Sequence, residues 1–121
     1  MLLKYKSDYR KIVYDLLSLV PNMNKMDRLD EEIDWYSDSE DRNFYLWKDQ
    51  YDNWSGLLGV EEKKQNVLVR RLVLVPEAFN LPNCFKMLNE LDHIYLNKKL
   101  VGSLDTAKIC EAWEQSKDAN Q

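Results

Sequence analysis

Few residues in this chain have types and spacings that carry chemistry. The two cysteines, Cys84 and Cys110, lie far apart and form no CxxC or Cys/His spacing. Neither a disulfide framework nor a zinc site is indicated, and two reduced thiols are expected. The single histidine, His93, falls within a helical segment with no second ligand candidate near it, so it reads as a solvated helix residue and no metal site is expected. Acids are dense between Asp27 and Asp41, where Asp30, Glu31, Glu32, Asp34, Asp38 and Glu40 follow one another closely. Such runs are usually solvated helix faces. The alternative is that a few of these carboxylates rim a pocket for a cationic or amine substrate.

The elements that must position these groups are constrained first by size. A chain of 121 residues is long enough to bury a core without metal or disulfide staples. One domain over residues 1–121 is expected, with residues 116–121 fraying. The net charge of -4 and the absence of a Lys/Arg stripe argue against a nucleic-acid partner. No apolar run reaches signal-peptide or membrane-spanning length, so a cytoplasmic protein without a membrane partner is expected.

Hydrophobic periodicity sets out the elements in order. Leu2 to Lys6 reads as a short strand. Ser7 can cap a helix with Tyr9, Ile12, Val13, Leu16, Leu17 and Val20 on its apolar face, ended by Pro21. A second helix starts near Lys25 and carries Met26, Leu29, Ile33 and Tyr36. Phe44 to Trp47 and Trp54 to Val60 form a hairpin about a turn at Asp49 to Asn53. After a polar turn at Lys63 to Asn66, the run Val67 to Val75 is apolar on both faces, the mark of a central strand. Strict alternation puts Val67, Val69, Val73 and Val75 on one face and Leu68, Leu72 and Leu74 on the other. A helix beyond Pro76 carries Cys84, Met87, Leu88, Leu91, Ile94 and Tyr95 as its core stripe. Leu100 to Gly102 is a short strand, and Ser103 or Asp105 can cap a last helix through Trp113. The fold class is therefore mixed α/β, in the order β-α-α-β-β-β-α-β-α.

That order, with RRLVLVPE closing the fourth strand, resembles the GCN5-related N-acetyltransferases (GNAT) over almost the whole chain. More narrowly, KYKSDYRKIVYDLLSLVPN, DWYSDSEDRNFYLWK and VLVRRLVLVP are similar to the RibT family, small acetyltransferase-like proteins of bacterial riboflavin operons. The resemblance implies a bulged fourth strand that splays from the fifth, with the pantetheine arm of acetyl-CoA lying in the gap. The strand backbone at Leu72, Val73, Leu74 and Val75 would pair with that arm. The amides of Asn83, Cys84 and Phe85, at the start of the next helix, would hold the diphosphate. The implied acceptor is a small-molecule amine, with a link to riboflavin metabolism.

The resemblance also exposes departures. The family's loop motif, Arg or Gln, two residues, Gly, one residue, then Gly or Ala, falls here on Phe79, Pro82 and Cys84. Phe79 donates no hydrogen bond, Pro82 has no N–H, and Cys84 adds a side chain where backbone must approach phosphate. Weak acetyl-CoA binding is therefore expected. No catalytic group is assigned. Glu61 and Glu62 are the nearest base candidates, read more readily as exposed turn acids. Cys110 stands where the family places its tyrosine acid, and reads more readily as a buried inert thiol. The two C-terminal strands of longer members are lacking, so the acceptor side is expected to be open or completed by a second copy in a homodimer. A competing reading is a non-catalytic, degenerate domain with a regulatory or protein-interaction role. A pure interaction module would use the aromatic residues Trp35, Tyr36, Phe44, Tyr45, Trp47, Tyr51 and Trp54, which more often are sheet core.

Overall fold

Three apolar runs with period two meet edge to edge and set the centre of the structure. In the computed structural model, which describes residues 1–119, they are β2 (Arg42–Lys48), β3 (Trp54–Glu62) and β4 (Asn66–Leu74). Two short strands, β1 (Leu2–Lys4) and β5 (Lys99–Gly102), flank them in the sheet order β1-β2-β3-β4-β5. Neighbours from β1 to β4 are antiparallel, and β5 joins β4 in parallel. The helices are α1 (Arg10–Leu17), α2 (Met26–Ser37), α3 (Leu81–Ile94) and α4 (Ala107–Ala119). The order matches the mixed α/β fold expected from the sequence.

The sheet separates two apolar layers. Val13, Leu17, Leu29, Ile33 and Tyr36 from α1 and α2, with Met23 from their connection, cover Phe44, Leu46, Leu57 and Val73 on one face. On the other, Met87, Leu88, Leu91 and Trp113 from α3 and α4 cover Tyr45, Leu58, Val60, Val67 and Val69. The aromatic residues Tyr36, Phe44, Tyr45 and Trp47 are buried in these layers, while Tyr51 is 75% exposed. The side chain of Met26 lies outside the described residues. No described helix is long and apolar enough to cross a membrane.

Several local expectations differ from the structure. Ser7 does not cap α1 but opens a 3-10 turn over Ser7–Tyr9 with no side-chain cap. Helix α1 stops at Leu17, where the Ser18 hydroxyl turns back onto the Asp15 carbonyl at 2.6 Å, before Pro21 is reached. At the other end, neither Ser103 nor Asp105 directly precedes α4; Thr106 does. That helix continues past Trp113 to Ala119, so residues 116–119 are helical, and residues 120 and 121 lie outside the described residues.

The face assignment in β4 needs a larger correction. Val60 pairs with Val69 while Gly59 pairs with Arg71, so Arg70 is an extra residue in β4. A bulge of this kind shifts the alternation by one. Val67 and Val69 therefore share a face with Leu72 and Leu74, whereas Val73 and Val75 face α1 and α2.

Candidate functional site

The bulge and the parallel strand together create an opening. Strand β5 accompanies β4 only from Asn66 to Val69. At that point the Val69 carbonyl accepts from Ser103 N–H at 3.1 Å and from the Thr106 hydroxyl at 2.6 Å. Beyond it the edge of β4 faces a cleft of 860 Å³, within the usual range of about 300–1,000 Å³ for small-molecule sites. Leu19 to Asn22 from the α1–α2 connection, Arg70 to Leu74, Pro76, Phe79, Asp105 and Thr106 line it.

The ladder decides which peptide groups point into this cleft. Val75 N–H bonds to Ser55 C=O at 2.9 Å. In an antiparallel pair, bonded and non-bonded residues alternate. Val73 opposite Leu57 and Arg71 opposite Gly59 therefore also bond to β3. Leu72 and Leu74 direct their N–H and C=O groups to the opposite, open edge. Of the four strand residues singled out from the sequence, Leu72, Val73 and Leu74 line the cleft, but only Leu72 and Leu74 present backbone to it. Val73 spends its groups on β3, and Val75 spends its N–H on Ser55 and its C=O on Ala78 N–H at 2.9 Å.

The helix start does not complete the same site. Asn80 caps α3, its Oδ1 accepting from Asn83 N–H at 2.8 Å, and its carbonyl accepts from Cys84 N–H at 3.1 Å. Phe85 lies one residue further into the helix, where N–H groups bond to carbonyls four residues back. Pro82 has no N–H, so the first turn offers at most the amide of Leu81. Asn83 lines a separate cavity of 530 Å³ with Trp47, Lys86 and Glu90. Cys84 is fully buried, and Phe85 packs against the α3–α4 core. The expected cradle of amides at Asn83, Cys84 and Phe85 is thus occupied by the helix's own cap and hydrogen bonds. Neither Cys84 nor Phe85 lines the cleft.

The bulge places two arginines on the α2 side of the sheet. Arg71 forms a forked pair with Glu32, at 2.6 Å and 3.3 Å, and lies 3.6 Å from Asp105. The Glu32 bond is the chief reason the Arg71 pKa is raised further. Arg70 stacks over Trp35 and pairs with Glu61 at 3.1 Å. Arg70, Arg71 and Asp105 also line a second cavity of 440 Å³, with Glu32, Trp35, Tyr36, Ser103 and Leu104 on its walls. Of the acids between Asp27 and Asp41, Glu32 is the one brought to this wall; Asp30 and Asp34 pair with Arg10.

The proton-transfer candidates from the sequence lie elsewhere. Glu61 is held by Arg70 and Lys63, and Glu62 by Lys98 at 2.7 Å. They oppose Leu68 and Val67, at the far end of β4 from Leu72 to Leu74. Cys110 is 7% exposed within the core, and burial pushes its thiol pKa up, offset in part by a bond with Thr106. His93 is exposed and contacts the Asn89 carbonyl. Arg70, Arg71 and Asp105 were not legible as site residues from periodicity. Two consecutive charged residues inside an apolar strand were the available signal, because both can reach one face only across a bulge.

No family model matches the chain. It is 31% identical, over 115 residues, to an uncharacterized N-acetyltransferase in the lysA 3′ region of Bacillus methanolicus, spanning 94% of this chain and 95% of that one. The fold is similar to that of AAC(6′)-Iy in complex with a CoA-S-monomethyl-acetylneamine bisubstrate analogue. That match has a TM-score of 0.74 and 6% identity, and covers 93% of this chain and 88% of the other. It is also similar to a chimera of the Vibrio cholerae spermidine N-acetyltransferase SpeG and hSSAT. There the TM-score is 0.67 at 15% identity, covering 95% and 79% of the two chains.

Proposed function

The chain belongs to the GCN5-related N-acetyltransferases, and from that premise we propose that it moves an acetyl group from the thioester of acetyl-CoA to a small-molecule amine. One observation carries this reading. The parting of β4 from β5 leaves the peptide groups of Leu72 and Leu74 facing the 860 Å³ cleft. An extended arm bearing amides can pair there as an added strand would. In the transfer, the amine lone pair attacks the thioester carbonyl, the C–S bond breaks, the thiolate takes up a proton, and the amine nitrogen loses one.

Asp105 lines both cavities and Glu32 lines the second, both beside Arg71, and these two carboxylates would hold the acceptor's ammonium group. An acceptor linked to riboflavin metabolism, a bacterial cytoplasmic setting and a homodimer that completes the open acceptor side belong to this proposal. They rest on the similarity of residues 4–22, 34–48 and 67–76 to the RibT family.

A second reading, a non-catalytic member of the family, is supported by one observation: Glu61 and Glu62 are tied into ion pairs and Cys110 is in the core. Titrating acetyl-CoA while following thermal unfolding tests the first reading. A ligand at about a hundred times its dissociation constant stabilises the native state by about 2.7 kcal/mol. No shift at millimolar acetyl-CoA would sink the transferase reading. A shift without turnover across a panel of polyamines, amino sugars and flavin precursors favours the non-catalytic one.

A further inference from the structure

Resting on the donor cleft just described, we propose that this chain selects its acyl donor by the pantetheine arm and not by the nucleotide. The ligand class is an acyl thioester of phosphopantetheine, whether carried on free coenzyme or on a carrier protein. The two halves of the site differ in what they offer. At the strand, Leu72 and Leu74 direct two N–H and two C=O groups into the cleft. Those groups complement the two amides of a pantetheine arm and read nothing beyond it.

At the helix, the groups a diphosphate needs are already used. Asn80 takes the amides of Asn83 and Cys84, and Pro82 supplies none. The Asn83 carboxamide donates to the Ala78 carbonyl at 2.7 Å, fastening the loop onto itself. The first turn leaves over at most the amide of Leu81, and to reach a second N–H a phosphate would have to displace the Asn80 side chain. Between Val75 and Asn83 the sequence holds no Lys or Arg, and its one charged residue is Glu77. Binding a diphosphate here would place two anionic groups beside a carboxylate with no cation supplied by the loop.

Where the loop before α3 meets the cleft the side chains are apolar instead, while Arg70, Arg71 and Asp105 line the cleft elsewhere. Phe79 at the cleft is 59% exposed, its neighbour Leu81 52% and Leu19, across the opening, 45%. These side chains suit contact with an uncharged surface, and none pairs with phosphate.

The test compares three probes on the full chain by calorimetry: acetyl-CoA, S-acetyl-4′-phosphopantetheine and an acetylated acyl carrier protein. Removing the nucleotide should change the dissociation constant by less than about tenfold. A loss of tenfold or more from acetyl-CoA to acetyl-phosphopantetheine overturns this inference and leaves the transferase reading standing. If none of the three binds at millimolar concentration, both fall. Tighter binding of the carrier-borne thioester assigns the source to a carrier protein, and tighter binding of the small thioesters assigns it to free coenzyme; each ranking is consistent with selection by the arm. Pro82→Gly returns an N–H to the first turn of α3 and should raise the preference for acetyl-CoA over acetyl-phosphopantetheine. An unchanged ratio in that variant would mean that the helix start is not what sets the preference, and would also overturn the inference.

Discussion

The hydroxyl of Thr106 donates to the carbonyl of Val69 across 2.6 Å, at the place where β4 and β5 stop pairing. The same oxygen of Thr106 accepts from Ser103 N–H at 2.9 Å. Both lone pairs of the Val69 carbonyl are thereby used, one by Ser103 N–H and one by Thr106, and the Ser103 carbonyl, which could accept the next ladder bond, takes Thr106 N–H at 3.2 Å instead. Close packing reinforces the stop. A Cβ on Gly102 would lie 2.7 Å from the Cα of Ala107, so only glycine lets the first turn of α4 seat against β5. The cleft is a consequence of this junction, since α4 begins where a longer β5 would otherwise cover Leu72 and Leu74.

Thr106→Val should therefore destabilise the fold. Thr106 is 2% exposed, and the substitution removes both the donor to Val69 and the acceptor for Ser103 N–H. A loss of about 1–3 kcal/mol is expected in urea denaturation, with Thr106→Ser retaining most of the stability. A larger loss for Thr106→Ser than for Thr106→Val would mean that the methyl group, and not the hydroxyl, matters.

Gly59→Ala tests the geometry of the bulge. A Cβ there would meet the Tyr36 hydroxyl, its Cζ at 2.9 Å and the Cβ of Arg71 at 3.2 Å. Tyr36 has little room to retreat, being 4% exposed with its ring 3.9 Å from that of Phe44. The alanine should cost about 1–3 kcal/mol through overpacking. Tyr36→Phe removes the hydroxyl, so the double variant should lose less than the sum of the single losses, by about 0.5 kcal/mol or more. Strict additivity in a denaturation cycle would show that the contact is relieved elsewhere.

Asn80→Ala removes the cap of α3 and should cost about 1 kcal/mol, with Asn80→Asp nearly neutral. The bond at stake is the 2.8 Å contact from Asn83 N–H to Asn80 Oδ1. Melting temperatures of the parent chain and the two variants check this. An Asn80→Ala variant that melts with the parent would leave the cap without energetic weight.

The elements were legible in the sequence because each announces itself locally. The period-two runs marked β2 to β4, and the stripe from Cys84 to Leu91 marked α3. The site was legible only in half. A strand's apolar composition shows that it is central, but not that one extra residue lies between Val69 and Arg71. That insertion re-aims Arg70 and Arg71 toward Trp35 and Glu32. It depends on pairing with β3, a long-range property. That Asn80 takes the amides of Asn83 and Cys84 could not be read, because an amide is free or taken only once the helix start is fixed.

Cys84 and Cys110 make the last prediction, one with a pH window. Both thiols are free and buried, and burial pushes their pKa values above the ordinary thiol range. In the unfolded chain the thiols ionise near pH 8.5, while in the fold they stay neutral. Their contribution is complete below the unfolded value and is lost as pH rises toward the folded one, because the unfolded state alone then releases protons. Stability should fall as pH rises above about 8.5, each thiol contributing a slope of up to about 1.4 kcal/mol per pH unit. A Cys84→Ala/Cys110→Ala variant, though less stable at neutral pH, should show a shallower slope over that range. Identical slopes would mean that the thiols reach solvent in the folded protein, as would rapid native-state reaction with a disulfide reagent at about pH 7.5, below the ordinary thiol pKa.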